Sequence, residues 1–288
     1  MTDRRKYISI IGLPEAGKTT LLAALWHIVD EDVRTTTKLR FNELSRGNYE
    51  HLNAIRRLWR AGRIQARTST SGLKTVAMEL ANAAGEPVQV TFPDAPGEEY
   101  GRMWEERVVD EALAATLAAP GIALVINADT ISYPLWVAQF AAVRRAGRMP
   151  LINEEPAEWE AKHAPTQVQV VDLLQHLMQP PLFIGPRRIA LLFSAWDQVI
   201  EEGLTPGRFL KERLPLLDQY LGSAREGWSS RVWGVSAQGG NYDDPAKGIR
   251  VDDAVRLRQL DHASERIMVV SDAGTSNDLT EPLEWLMS

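Results

Sequence analysis

Hydrophobic and polar positions along the chain follow two periodicities, one typical of strands and one typical of helices. Tyr7 to Ile11 is a short apolar run that predicts a strand, and Thr20 to Val29 carries its leucines at helical spacing. Asn48 to Arg63 repeats apolar residues on one side of a second predicted helix. Two further runs, Gly72 to Leu80 and Val88 to Phe92, are separated by a short turn and predict a hairpin.

Beyond this hairpin, helix and strand patterns alternate along the chain. The predicted elements are helix Met103 to Ala118, strand Ile122 to Ala128, helix Gln167 to Met178, strand Ile189 to Ser194, helix Arg208 to Leu221 and strand Val232 to Ser236. Such alternation requires crossover connections, which place helices on both faces of parallel strands. The sequence therefore predicts a three-layer α/β sandwich, whose mostly parallel sheet has one antiparallel hairpin strand.

Three segments do not fit a minimal fold of this kind: about residues 31–70, 130–165 and 239–277. The first two are partly helical by pattern, and the last is rich in glycine, aspartate and other polar residues. With 288 residues, of which 44% are hydrophobic and 24% charged, the chain has the composition of one enlarged globular domain. We therefore expect a single domain over residues 1–288, with helical and loop insertions at these three places.

Charge and cysteine content narrow the possible functions. A formal net charge of -6 argues against a nucleic-acid partner, although four arginines between residues 56 and 63 can form a local basic patch. The absence of cysteine excludes disulfides, zinc ribbons and thiol nucleophiles, and it fits a cytoplasmic protein. The longest apolar runs have strand length, well short of the ~20 residues that a membrane-spanning helix needs. We therefore expect no membrane span.

The clearest chemical motif follows the first predicted strand. Gly12-Leu13-Pro14-Glu15-Ala16-Gly17-Lys18-Thr19 matches G-x-x-x-x-G-K-[ST] and lies between a strand and a helix, as a P-loop requires. Its glycines let the backbone curl, so that N–H groups and the helix N-terminus face phosphate oxygens. Lys18 would neutralise the outer phosphates, and the Thr19 hydroxyl would ligate Mg²⁺. The predicted phosphate-binding residues are Gly12, Pro14, Glu15, Ala16, Gly17, Lys18, Thr19 and Thr20.

A second motif, Asp94-Ala95-Pro96-Gly97, closes the strand that ends at Phe92. A P-loop enzyme needs a carboxylate at this place to hold magnesium, directly or through water, and Asp94 is the candidate. Gly97 would donate its backbone N–H to the terminal phosphate, which would make the following segment sensitive to hydrolysis. Taken alone the motif is a common turn, so its functional interpretation depends on the P-loop.

The order of these two motifs resembles the Ras-like, translation-factor-related GTPases, a class of P-loop NTPase. Such proteins carry an Asn-Lys-x-Asp base-reading motif after a later strand, where this chain has Ser194-Ala195-Trp196-Asp197. The resemblance implies that the Asp197 carboxylate accepts hydrogen bonds from guanine, and that Trp196 offers a stacking face in place of the missing lysine. The family's Ser-Ala-Lys motif corresponds to Ser236-Ala237-Gln238.

The effector segment is less well defined, because Thr68, Ser69, Thr70 and Ser71 all lie where the family needs a threonine. The spacing of Arg67 and Thr70 resembles heterotrimeric G-protein alpha subunits. That resemblance implies an internal arginine finger at Arg67 and a magnesium ligand at Thr70. An ordinary polar loop beside a strand is the alternative.

Glu98 follows the Asp-x-Pro-Gly motif at the place where many relatives have a glutamine that orients the attacking water. Its carboxylate either acts as a base, adds repulsion near the γ-phosphate, or favours the next helix through its dipole. This motif, the altered base motif and the terminal segment Glu281 to Leu286 also resemble the bacterial double-GTPase-type domains. That resemblance implies a switch in a multi-gene system.

The sequence therefore predicts a slow, magnesium-dependent GTPase that acts as a molecular switch, with Lys18, Arg67 and Glu98 as catalytic residues. Its expected ligands are GTP and GDP, together with a protein partner at a nucleotide-sensitive surface. A catalytically weak pseudo-GTPase, which would act as a nucleotide-dependent binding module, is the first alternative. An ATP-using kinase or ATPase is the second, and Asp197 and Ser236 count against it.

Overall fold

The structure, a computed structural model, describes residues 6–30, 37–64, 75–93, 102–134, 160, 163–223 and 227–288. Among them nine strands form one sheet. The strands are β1 (Lys6–Gly12), β2 (Leu39–Arg46), β3 (Val76–Asn82), β4 (Pro87–Phe92), β5 (Gly121–Asn127), β6 (Arg187–Ser194), β7 (Trp228–Ser236), β8 (Met268–Ser271) and β9 (Gly274–Ser276). Their order across the sheet is β2-β3-β4-β1-β5-β6-β7-β8-β9.

Helices cover both faces of this sheet. They are α1 (Lys18–Asp30), α2 (Tyr49–Arg60), α3 (Glu111–Leu117), α4 (Thr166–Leu177), α5 (Trp196–Val199), α6 (Pro206–Arg213), α7 (Pro215–Ser223), α8 (Asp252–Arg258) and α9 (Glu281–Met287), with 3₁₀ turns at Ile200–Glu202 and Ala263–Arg266. None of the described helices is both long enough and apolar enough to cross a membrane.

The predicted three-layer α/β architecture is confirmed, because the core divides into one apolar layer on each side of the sheet. Ala190 and Leu192 of β6 pack in the layer that contains residues of α1, α2 and α9. Ile189, Leu191 and Phe193 of the same strand pack in the layer of α3, α4, α6 and α7. A strand that is apolar on both faces reads as a continuous hydrophobic run, which explains why β6 was predicted from sequence.

The pairing of the strands differs from the prediction of one antiparallel strand. The centre is parallel, from β4 through β1, β5 and β6 to β7. Both edges are antiparallel, with β2 and β3 on one side and β8 and β9 on the other. β2, β8 and β9 all fall in segments predicted to be insertions. β8 and β9 have only four and three residues, too few for a clear strand pattern. The edge strand β2 is mostly exposed and contains register shifts at Phe41/Glu43 and Leu44/Arg46.

Two predicted helices are each interrupted. The segment predicted as Arg208 to Leu221 forms α6 and α7, which meet at Leu214 and Pro215, because proline cannot continue a helix from its interior. The segment predicted as Met103 to Ala118 is helical at residues 102–105 and again in α3. The side chain of Asp110 accepts hydrogen bonds from the first turn of α3 and so starts a new helix there.

Candidate nucleotide-binding site

The P-loop lies at the carboxyl end of β1, between that strand and α1. A β-carbon on Gly12 would lie 2.4 Å from the carbonyl oxygen of Val125, so glycine is required where the loop leaves β1 beside β5. Glu15 and Gly17 have φ angles of 62° and 88°. Left-handed residues among right-handed ones form the concave backbone that binds anions, and α1 begins directly after them, at Lys18.

The Lys18 ammonium closes this loop. Its Nζ donates to the carbonyl oxygens of Gly12 and Leu13, at 2.7 and 2.8 Å. Burial lowers the pKa of Lys18 to about 8, because removal of water disfavours the charged amine. A negatively charged ligand beside this amine would favour its protonated form again, so the loop favours an anion.

Strands β5 and β6 hold the other side of the P-loop. The Ser194 hydroxyl at the end of β6 donates to the carbonyl oxygen of Ala16 at 2.7 Å. The Asn127 side chain at the end of β5 donates to the carbonyl oxygen of Glu15 at 3.4 Å. The P-loop and the ends of the central parallel strands are therefore one hydrogen-bonded unit.

Asp197 is oriented by two neighbours after β6. Ala195 has a φ of 52°, and this left-handed turn starts the short helix α5, in whose first turn Asp197 lies. The Ser236 hydroxyl, at the end of β7, donates to Asp197 Oδ1 at 2.5 Å, and the Gln198 amide donates to Oδ2 at 2.6 Å. Ser236 is itself buried. The Ser236 hydroxyl therefore holds the Asp197 carboxylate in place.

A single cavity of about 460 Å³ joins these two groups of residues. Its lining includes six of the residues predicted for nucleotide binding: Glu15, Gly17, Thr20, Ser194, Asp197 and Ala237. The structure thus brings the P-loop and the two predicted base-reading segments, residues 194–197 and 236–238, to the same cavity. Gly12, Pro14, Ala16, Lys18 and Thr19 belong to the same loop and the first turn of α1.

Trp196 does not face this cavity, and the prediction that it stacks on a base is wrong. Its side chain is 1% exposed and packs against Phe193 and Phe209, with ring centroids 6.3 and 5.3 Å away. A β-carbon on Gly234 would lie 2.2 Å from the Trp196 indole, so the ring lies against the bare backbone of β7. Its apolar surface is therefore used in the core.

Several cavity residues were not identified from the sequence. They are Ile64, Asn127, Asp129, Gln198, Gln238, Gly240 and Asn241, together with the core residues Leu21, Val125, Leu192 and Val235. For Asn127 and Asp129 a signal existed, because both are polar residues at or just beyond the end of an apolar parallel strand, where ligands of α/β proteins bind. For Ile64 and Asn241 there was none, because they belong to segments interpreted as insertions.

Five predicted residues lie outside the described part of the chain: Arg67, Thr70, Asp94, Gly97 and Glu98. Of the predicted magnesium ligands, the structure therefore describes Thr19, in the first turn of α1 beside Lys18. A hydroxyl at the phosphate end of a P-loop helix is a hard oxygen donor of the kind that Mg²⁺ accepts. Within the described residues, no cluster of three or more His, Cys, Asp or Glu could hold a metal ion by itself.

A larger cavity, of about 550 Å³, lies elsewhere, between residues 103–109 and the C-terminal part of α4. It is lined by Arg107, Asp172 and His176, and by no residue of the P-loop or of the base-reading segments. Arg107 donates to both carboxylate oxygens of Asp172, at 2.9 and 3.0 Å, so these charges are paired with each other. The smaller cavity is therefore the candidate site.

Comparison with solved structures finds proteins in complex with GDP or GTP. The cytosolic domain of the T. maritima FeoB iron transporter in a GDP form is 14% identical, with a TM-score of 0.34, and 89% of this chain and 65% of that chain are covered. The S. cerevisiae Ski7 GTPase-like domain, bound to GDP and inorganic phosphate, is 12% identical, with a TM-score of 0.43 and coverages of 88% and 48%.

The signal recognition particle receptor SRb-GTP/SRX complex from Chaetomium thermophilum is 14% identical, with a TM-score of 0.38 and coverages of 82% and 92%. This chain spans slightly less than two thirds of the FeoB domain and about half of the Ski7 domain. Similarities at this level carry no inference about function.

No curated protein matches the sequence. A family model does match, and it covers residues 9–286. This range includes the P-loop, the two predicted base-reading segments and most of the terminal helix. The chain belongs to the Double-GTPase 1 family.

Proposed function

We propose that the chain binds GTP in the 460 Å³ cavity and hydrolyses it slowly, and that the bound nucleotide switches its affinity for a protein partner. One observation carries this proposal: the cavity is lined both by P-loop residues and by Asp197, whose carboxylate is held by Ser236 and Gln198. Anion-binding backbone at one end and an oriented acceptor at the other suit a triphosphate joined to a base that has two donors. Guanine has such donors at N1 and N2, and adenine does not.

In this proposal the P-loop N–H groups and Lys18 bind the β- and γ-phosphates, and a water attacks the γ-phosphate in line. Thr19, Thr70 and Asp94 would hold Mg²⁺, which when bound supplies positive charge to the phosphate oxygens. Gly97 would sense the γ-phosphate, and Glu98 would face the attacking water. The loops Arg67 to Gly72 and Pro96 to Met103 would then report the nucleotide state to the partner. We place this switch in the cytoplasm, which the absence of cysteine supports.

Competition binding with GTP, GDP and ATP tests the ligand. We expect GTP and GDP to displace a labelled guanine nucleotide at similar concentrations, and ATP to displace it poorly, because adenine lacks the paired donors that Asp197 would accept. Equal displacement by ATP would contradict guanine selectivity. Failure of all three nucleotides to bind would reject the proposed function.

Single-turnover hydrolysis then tests catalysis. If Arg67 reaches the γ-phosphate, Arg67→Ala should slow hydrolysis by roughly 10³- to 10⁵-fold, the range that finger arginines supply, with little loss of GTP affinity. Arg63→Ala, at an exposed arginine in the described segment just before it, is the control and should hydrolyse at the parental rate. A parental rate for Arg67→Ala would exclude an internal finger.

A further inference from the structure

Part of the wall of the 460 Å³ cavity comes from residues that belong to neither the P-loop nor the predicted base-reading segments. Ile64, which follows α2, and Gly240 and Asn241, which follow β7, all line the cavity. The Ile64 side chain is 48% exposed, so it offers aliphatic surface to the cavity. It lines the same cavity as Ala237 and Asp197, so a base held by Asp197 would lie within the same space.

Ile64 is held there by a short parallel pairing with the segment after β7. The Ile64 N–H donates to the carbonyl oxygen of Asp243 at 2.8 Å, and the Asp243 N–H donates to that of Gly62 at 2.9 Å. The Asp243 carboxylate accepts from the Arg258 guanidinium at 2.8 Å, and the same guanidinium donates to the carbonyl oxygen of Ala61 at 3.1 Å. The backbone at Ile64 is therefore fixed although its side chain is exposed.

A buried arginine, Arg266, joins the same two segments. Arg266 donates to the carbonyl oxygens of Trp59 and Arg60 at the end of α2, at 2.7 and 3.3 Å, and to the Tyr242 hydroxyl at 3.1 Å. Its guanidinium stacks on the Trp59 ring, with the carbon atom 4.7 Å from the centroid. The Trp59 indole N–H donates in turn to the carbonyl oxygen of Ala237 at 2.8 Å. The end of α2 is thus tied directly to the base-reading segment.

The Asn241 side of the wall is anchored independently by α8. The Asn241 N–H donates to Asp253 at 2.9 Å, and the Arg256 guanidinium donates to the carbonyl oxygen of Gly239 at 3.0 Å. Gly240 has a φ of 149°, and a β-carbon on it would lie 2.9 Å from the Asp253 carboxylate, so glycine lets the backbone approach α8. Both sides of the wall are therefore in position independently of a ligand.

We infer that this wall is a base-covering subsite, in which the Ile64 side chain packs on the face of the purine while Asp197 binds its edge. The inference rests on the proposed function. A purine needs apolar cover on its faces, and in this chain Ala195 has no side-chain stem to supply it, while Trp196 is buried in the core. Ile64 supplies an exposed aliphatic surface that loses water when a base binds.

The subsite predicts an effect that depends on the base and not on the number of phosphates. Ile64→Ala should weaken GTP and GDP by the same factor, about three- to tenfold, the value expected for losing part of an aliphatic contact. Binding of inorganic triphosphate, which has no base, should be unchanged. Titration calorimetry of the full chain with the three ligands measures these effects.

Ile249→Ala is a closely matched control. Ile249 is also an isoleucine, and its exposure of 47% almost equals that of Ile64. It follows β7, as Gly240 and Asn241 do, and it does not line the cavity. This variant should bind GTP and GDP as the parent does. If Ile64→Ala binds both nucleotides like the parent, loses GTP alone, or is matched by Ile249→Ala, the subsite is wrong. A parent that binds no guanine nucleotide would instead overturn the proposed function.

Discussion

The two ends of the nucleotide cavity are built in different ways. The phosphate end is one continuous stretch, from Gly12 to Thr20, whose shape follows from a strand end, two left-handed residues and a helix start. The base end is assembled from β5, β6 and β7, from the segment after α2 and from the segment after β7. A local motif therefore suffices to form the proposed phosphate end, whereas the proposed base end requires the tertiary structure to be complete.

The largest expected effect on nucleotide affinity tests the phosphate end. Lys18→Ala should weaken GTP about 10²- to 10³-fold, because it removes the charged donor closest to the outer phosphates. The fold should persist, since the side chain donates to carbonyl oxygens of its own loop and belongs to neither apolar layer of the core. Binding assays and a thermal melt measure both effects, with Lys211→Ala on the exposed side of α6 as the control. Unchanged GTP affinity in Lys18→Ala would contradict the P-loop assignment.

A smaller and more selective effect tests the base end. Asp197→Asn should weaken GTP about 10- to 100-fold and leave ATP unchanged, because an amide offers one acceptor where guanine presents two donors. Xanthosine triphosphate has a carbonyl in place of the guanine amino group, so it should bind this variant better than it binds the parent. Affinities for the three nucleotides, measured side by side, test this. An equal loss for GTP and ATP would mean that Asp197 does not read the base.

The smallest effect concerns the pH dependence of the phosphate end alone. The pKa of Lys18 is lowered to about 8, and a bound triphosphate would raise it, because nearby negative charge favours the protonated amine. At a pH between these two pKa values, the Lys18 amine takes up a proton when GTP binds. GTP affinity should therefore fall above pH 8, by up to about tenfold per pH unit. Below pH 8 the Lys18 amine is protonated with and without ligand, so its effect on GTP affinity should not change with pH.

Dissociation constants at pH 7, 8 and 9 test this dependence. Lys18→Arg is the matched control, because a guanidinium stays charged over this range and should give a flatter profile at whatever affinity remains. A parent whose affinity stays constant from pH 7 to 9 would mean that Lys18 is not the group that responds to the phosphates.

Prediction from sequence succeeded for elements whose signal is local or buried on both sides. The helix predicted as Thr20 to Val29 is observed as Lys18–Asp30, and the strand predicted as Ile189 to Ser194 is observed as Arg187–Ser194. It failed for the edge strand β2, whose residues are mostly exposed and whose register is shifted twice. An edge strand is defined by its pairing with a neighbour, and its own sequence carries little trace of that neighbour.

The sequence alone determined the P-loop, because its glycines, its lysine and the helix that follows act within about ten adjacent residues. It also placed Ser194, Asp197, Ser236 and Ala237 at the ends of strands. Only the tertiary structure decided that Trp196 belongs to the core while its neighbour Asp197 faces the cavity. That choice depends on Gly234, 38 residues away on the adjacent strand, whose missing side chain makes room for the indole. The same holds for Ile64, which lies at the cavity because Asp243, far along the chain, pairs with its backbone.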